Sequence, residues 1–312
     1  EGNFNTNIGL PLTLLQMNVT HNISILEMGA SLPGEIEGLC NIARPTHGLI
    51  TNIATAHLEG FGSIENIAYE KGALFRFLES NGTAFLNKTD DMINNISYTG
   101  KKITFGLTPE CDFPADIYQK EDGTLALILD TYEIHTGTHN LSFIKNSIAV
   151  SAVAITLGID WNRLKTKLLS FTSPPGRCNV KHFNGVTIID DTYNANLASS
   201  LAAIDYLNAF SGNGRRILVF GDMFELGTSS NEQHRRIGQK CSELNLDGVY
   251  TIGNHTKHTD SAISNGIDHI HYNSKDNLIT SLRKKIIAGD KILFKGSRGM
   301  EMEKVIKGVF DL

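Results

Sequence analysis

The arrangement of apolar and polar positions divides the chain into short buried runs and longer amphipathic ones. In TNIATAHLEGFGSIENIAYEKGALFRFLES, residues 51–80, the positions Ile64, Ile67, Ala68, Leu74, Phe75 and Leu78 recur at three- and four-residue spacings and predict a helix. ISILEMG (23–29), HGLITNI (47–53) and TAFLN (83–87) are compact apolar runs that predict buried strands. With helices between or after them, they give the alternation of a mainly parallel α/β sheet. Between residues 101 and 142, KKITFG and TLALILDTYEIHTG predict shorter strands in an antiparallel extension, and KNSIAVSAVAITLGI returns to helix.

Pro174, Pro175 and Gly176 then break the pattern as a turn or linker. Beyond them, VTIIDDTYNANLASSLAAIDYL, RRILVFGDM, a helix near His234 to Leu244, GVYTIG and KILFKGSRGMEMEKVIKGVF predict a second, doubly wound unit. The expected division is residues 1–176 and 177–312, and 312 residues with 41% hydrophobic content are enough for two cores.

Charge narrows the function. Net charge is -5 with both signs interspersed, which excludes an extended nucleic-acid groove or polybasic membrane surface and favours a small-molecule partner. The four cysteines form no CxxC pair, which fits a reducing cytosol, and no apolar run reaches transmembrane length. No signal peptide is visible.

Within the predicted helix, Lys71 falls on the apolar stripe. Burial disfavours an ammonium, so the amine there either becomes neutral and available to add CO₂ as a carbamate, or reaches solvent along its aliphatic stem. In open α/β sheets ligands bind beyond the carboxyl ends of strands. Glu27, Asn52, His57 and the Asp190-Asp191 pair occupy such places. Glu27 and His57 suit Mg²⁺ binding or substrate orientation, or an ordinary loop hydrogen bond. DDTYNAN, between strand and helix, offers either a nucleotide contact or helix capping. Lys295 to Arg298, KGSR, either grips a carboxylate or phosphate or forms a solvated loop. His255, His258, His269 and His271 have no supporting ligand set and are not read as a metal site.

GNFNTNIGLPLTLL, LEMGAS, ITNIATAHLEGFGS, EKGALF, PPGR, DDTYNAN, GDMFELG and KGSR stand in the order and approximate spacing of the Mur ligase family. The chain resembles its MurF-like branch, to which AHLEGFGS, DDTYNAN and GDMFELG are specific. The resemblance implies a truncated central ATPase-type parallel-sheet domain followed by a Rossmann-like C-terminal domain. It implies an ATP-dependent ligase of peptidoglycan synthesis, a cytoplasmic monomer that adds D-alanyl-D-alanine to a UDP-N-acetylmuramoyl tripeptide using Mg²⁺.

Residue by residue, Glu27 and His57 match positions that bind Mg²⁺ and orient the substrate carboxylate, and Lys71 matches a carbamylated lysine. Asn146, Arg177 and Asp191 match positions that hold ATP, with Tyr193 and Asn196 nearby. Asn5 and Asn7 match the muramoyl-peptide side, and Lys295, Ser297 and Arg298 match the side of the incoming amine. The family's Gly-rich phosphate loop precedes GNFNTNIG, and no such motif occurs in these residues. The expectation is a ligase whose front is cut away and whose remaining chain is nearly inactive alone. Rival readings are a superfamily ligase with another acceptor, such as a folylpolyglutamate synthase relative, and a noncatalytic nucleotide- or peptide-binding module.

Overall fold

The structure, a computed structural model, describes residues 4–54, 58–78, 82–121, 124–210, 212–264 and 266–311. The chain divides into two compact units. One comprises Glu1–Tyr118, Leu127–Ile134 and Ile144–Leu168, and the other Gln119–Ala126, His135–Phe143 and Leu169–Leu312.

Six strands in sequence order form the first sheet: β1 (His47–Leu49), β2 (Thr83–Asn87), β3 (Lys101–Gly106), β4 (Phe113–Gln119), β5 (Leu125–Leu129) and β6 (Tyr132–Thr138). The pairs β1·β2, β2·β3 and β3·β4 are parallel. The expected antiparallel extension therefore enters through a parallel pair, because the segment between Gly106 and Phe113 carries the chain back before β4 begins. The helix Ile64–Leu78 has the predicted stripe, with Ile67, Phe75 and Leu78 packed on Ile50, Ala84 and Leu86. TAFLN is a strand over its whole predicted length.

ISILEMG is not a strand. Residues 23–29 have no regular secondary structure, and Ile23 and Ile25 are 53% and 89% exposed. An apolar run becomes a strand only where a neighbour accepts its ladder hydrogen bonds and covers its side chains. Here Gly29 N–H instead donates to the Asn5 carbonyl at 2.9 Å.

The second sheet has the order β11-β10-β9-β12-β8-β7, with β7 Asn179–Phe183, β8 Val186–Asp191, β9 Arg216–Gly221, β10 Gly248–Ile252, β11 Asp268–Tyr272 and β12 Lys291–Lys295. All pairs are parallel except β7·β8. Successive strand residues point to opposite faces, and the core sorts accordingly. Ile189, Leu218, Phe220 and Leu293 share one cluster with Ile204 and Ile237 of the helices Leu197–Asn208 and Ser230–Glu243. Ile188, Val219, Ile292 and Phe294 share another with Leu278 and Ile306 of the helices Lys275–Lys285 and Glu303–Phe310. Both faces are thus covered, and the strand order reverses at β9, β12 and β8. Their carboxyl ends are where this topology places a ligand.

Candidate active site

In the first unit, polar residues gather beyond β1 and β2. Asp90 holds this region from two sides: one carboxylate oxygen accepts from Met92 N–H (3.0 Å) and Ile93 N–H (3.1 Å), capping a short helix, while the other accepts from Ile53 N–H at 2.9 Å. Lys71 reaches the same segment, its Nζ donating to the Asn52 carbonyl at 2.9 Å. Burial lowers the Lys71 pKa, and Asp90 opposes that shift without reversing it.

One residue before Lys71, Glu70 is buried and accepts from Gly34 N–H and Ile36 N–H, both at 2.7 Å. It closes the N-terminus of the helix Glu35–Ala43, whose own N-cap, Gly34, has no side chain to do so. EKGALF thus supplies two neighbouring ionisable groups with different partners: Glu70 holds Gly34 and Ile36, and Lys71 reaches the Asn52 carbonyl.

Glu27 is exposed and accepts from the Asn5 side-chain amide at 3.1 Å, so the structure brings these two predicted residues together. The contact requires Gly29, since a Cβ there would lie 2.7 Å from Asn5 Nδ2. The glycine of HLEG has a similar reason, because a Cβ on Gly60 would come within 2.0 Å of the Ser31 carbonyl oxygen. Asn7 is exposed just ahead of the helix Gly9–Leu14, and Asn146 is exposed on the helix Leu141–Thr156. His57 lies outside the described residues. Among the described residues no group of three or more His, Cys, Asp or Glu side chains is arranged to hold a metal.

In the second unit the sequence words PPGR, DDTYNAN, GDMFELG and KGSR are tied together at the carboxyl ends of β8, β9 and β12. Asp191 accepts from Cys178 N–H at 3.1 Å and from Lys295 Nζ at 2.6 Å. Lys295 also donates to the Asn194 carbonyl at 2.9 Å, and is 1% exposed against 8% for Asp191. Both charges of this pair are therefore spent inside the fold, as an ammonium and carboxylate this deeply buried must be. Tyr193 N–H donates to the Gly176 carbonyl at 3.0 Å, and the Arg177 guanidinium lies 4.0 Å from the Tyr193 ring centroid. The ring leaves Arg177 exposed beside the DDTYNAN turn.

Asn196 caps the helix Leu197–Asn208 in a reciprocal box with Ser199. Ser297, buried, ties three segments: its N–H donates to the Asp222 carbonyl (2.9 Å), its Oγ accepts from Phe224 N–H (2.8 Å) and donates to the Ala195 carbonyl (3.3 Å). Arg298 remains 64% exposed in its side chain and pairs with Glu303 at 3.1 Å. The carboxylate of Asp222 accepts from the N–H groups of Asn254, His255 and Thr256 at 2.7–3.0 Å. Buried His234 accepts from Met223 N–H at 3.0 Å.

Sequence reasoning missed Glu70, Asp90, Asp222 and His234. Glu70 carries the same signal as Lys71, an ionisable residue on an apolar stripe, and His234 repeats it in line with Ile237 and Cys241. Asp90 and Asp222 had only their place after a strand to mark them.

Two parallel-rich sheets, each with polar residues gathered beyond strand ends, define an α/β protein of the kind that binds its ligands at those ends. The chain belongs to the Mur ligase family: residues 1–154 match the Mur ligase middle domain and residues 176–298 the Mur ligase, glutamate ligase domain. A UDP-N-acetylmuramoyl-tripeptide--D-alanyl-D-alanine ligase of Escherichia coli K12 is 33% identical over 323 residues, covering 99% of this chain and 70% of that protein. The protein of the same name in Haemophilus influenzae is 35% identical, with 100% and 69% covered. Among solved structures, MurF from Acinetobacter baumannii superposes with a TM-score of 0.89 at 27% identity, covering 100% of this chain and 70% of that one. MurF ligase from Thermotoga maritima in complex with ADP gives 0.87 at 30% identity, with 100% and 72% covered.

Proposed function

We propose that this chain is the middle and C-terminal part of an ATP-dependent amide ligase that joins D-alanyl-D-alanine to a UDP-N-acetylmuramoyl tripeptide in peptidoglycan synthesis, and that it needs the rest of the enzyme, including a phosphate loop, for turnover. The observation that carries the reading is the convergence of PPGR, DDTYNAN, GDMFELG and KGSR on Asp191, Asp222 and Ser297 in a chain about one-third identical to ligases of that name. The terminal carboxylate of the tripeptide attacks the γ-phosphorus of ATP, expelling ADP and leaving an acyl phosphate. The dipeptide amine attacks that carbonyl, loses a proton and expels phosphate.

Both steps bring like charges or weak nucleophiles together, so the protein's contribution is positioning and charge neutralisation. Arg177, stacked on Tyr193, offers an exposed cation for phosphate, and exposed Asn146 offers an amide for ATP. Asp191 and Asn196 act by shaping the turn, since their side chains are already bonded within it. Asn5 and Asn7 meet the muramoyl peptide. Lys295 and Ser297 hold the loop that presents Arg298 to the amine component.

A magnesium ion takes hard oxygen donors. Glu27 supplies an exposed carboxylate, and Lys71, once carbamylated, supplies another anionic oxygen pair in place of a cation, so this donor chemistry fits. Together with His57 these residues would hold the ion, which when bound supplies neutralisation of phosphate charge. The Asn5 amide keeps Glu27 oriented.

The reading also assigns the protein to the cytoplasm. The four cysteines are free, and among the described residues no helix is long and apolar enough to cross a membrane. Release of ADP by the full-length protein tests the function: it should require the UDP-muramoyl tripeptide and D-alanyl-D-alanine together. ADP release indifferent to the dipeptide would overturn the assignment.

A further inference from the structure

Met223 N–H donates to an imidazole rather than to a carbonyl, and that imidazole belongs to a residue with 0% exposure. The helix Ser230–Glu243 puts Ser230, His234, Ile237 and Cys241 on its buried face. His234 Nδ1 lies 2.7 Å from the Ser230 carbonyl oxygen, which can only accept, so Nδ1 carries the hydrogen. Nε2 is then the acceptor for Met223 N–H. The two partners fix the ring as the neutral Nδ1–H tautomer; an imidazolium would keep the Ser230 bond but, protonated at Nε2, could not accept from Met223 N–H.

We infer that His234 is a positioning residue for the amine-receiving side of the site, fixing the 222–224 segment and through it the KGSR loop. The inference rests on the reading above that this loop receives the amine. The path is continuous. His234 holds Met223, the next N–H, that of Phe224, donates to Ser297 Oγ at 2.8 Å, and Ser297 reaches Asp222 and Ala195. Arg298 follows directly in the chain. Loss of the acceptor at Nε2 would orphan a buried N–H next to the one that anchors Ser297.

The groups facing the ring set its protonation. Asp222 favours the charged form, and so does the Ser230 carbonyl. Burial, the dominant influence, opposes it, with His255 and His258 adding to that opposition. The His255 ring stacks on His234 at 5.6 Å between centroids, and Phe220 lies 6.3 Å away. The outcome is a pKa below the usual histidine value.

Two amide isosteres separate the two bonds. In His234→Gln the amide oxygen takes the place of Nε2 and keeps the Met223 acceptor. In His234→Asn the amide N–H takes the place of Nδ1 and keeps only the Ser230 bond. Steady-state kinetics of the full-length protein should show the Gln variant within about twofold of wild type in KM for D-alanyl-D-alanine, and the Asn variant raised about tenfold, with KM for ATP unchanged in both. Equal amine KM in the two variants, or a parallel rise for ATP, overturns the inference.

A second measurement needs no turnover. Hydrogen-exchange protection of the Met223 and Phe224 amides at neutral pH should stay near the wild-type level in His234→Gln and fall in His234→Asn, which leaves Met223 N–H without its acceptor. Equal protection in the two variants overturns the positioning role. Absence of ligation by wild type would instead sink the functional reading and leave this exchange result to decide the His234 lock by itself.

Discussion

The Lys71 ammonium lies 2.9 Å from the carbonyl oxygen of Asn52, on a helix face otherwise built from Ile67, Leu74, Phe75 and Leu78. One carbonyl is a poor substitute for the hydration a lysine gives up there, which is why burial lowers its pKa despite Asp90. The neutral amine is therefore reached at lower pH than in a solvated lysine. With ¹³C-bicarbonate near neutral pH, NMR should reveal a protein-bound carbamate signal that is absent in Lys71→Gln. In the full-length protein Lys71→Ala should sharply reduce ligation, with partial rescue by small carboxylates. Full activity in that variant would remove Lys71 from the mechanism.

Glu70 stands beside Lys71 but does different work. Its carboxylate satisfies Gly34 N–H and Ile36 N–H at the start of the helix Glu35–Ala43. Glu70→Ala leaves both donors buried or forces the segment open, and should cost about 2–4 kcal/mol in urea unfolding, with Glu70→Gln costing less. A loss under about 0.5 kcal/mol in the Ala variant would show that the cap is dispensable.

Lys295 and Asp191 make the most deeply buried ion pair among the described residues, at 2.6 Å. Removing one charge strands the other, so Lys295→Met and Asp191→Asn should each destabilise by about 3–5 kcal/mol. The double variant should lose less than the sum, because neither charge is then left alone. Additive losses measured by chemical denaturation would contradict a direct pairing.

Much of this was legible in the sequence because it depends on period. The 3.6-residue stripe located the helix Ile64–Leu78 and marked Lys71, and the run TAFLN became β2 over the same residues. ISILEMG failed because an apolar run does not say whether a neighbouring strand will pair with it, and Ile25 is exposed. Lys295 illustrates another limit. Its residue type and loop suggested a cation offered to ligand, but only the register of β12 beside β8 reveals that Lys295 and Asp191 are opposite one another. His234 was readable by the same stripe logic as Lys71, whereas its bond to Met223 depends on how the loop after β9 returns to the helix.

Stability should depend on pH through His234. Its pKa is lowered in the fold, so the unfolded chain takes up a proton first, near the ordinary histidine value of about 6.5. The stabilisation is complete above that pH and is lost as pH falls toward the lower folded value. The contribution to the slope is at most about 1.4 kcal/mol per pH unit. Unfolding midpoints of wild type should decline between pH 7 and pH 5 more steeply than those of His234→Gln. Parallel declines would mean that the ring is protonated in the fold or exposed to water.

The route of the terminal carboxylate oxygen tests the central claim most directly. With UDP-muramoyl tripeptide labelled by ¹⁸O in that carboxylate, the full-length protein should transfer one labelled oxygen per turnover to inorganic phosphate, with ADP as the nucleotide product and the other label kept in the new amide. Unlabelled phosphate, or label recovered in AMP, would contradict an acyl phosphate and with it the assignment of this site.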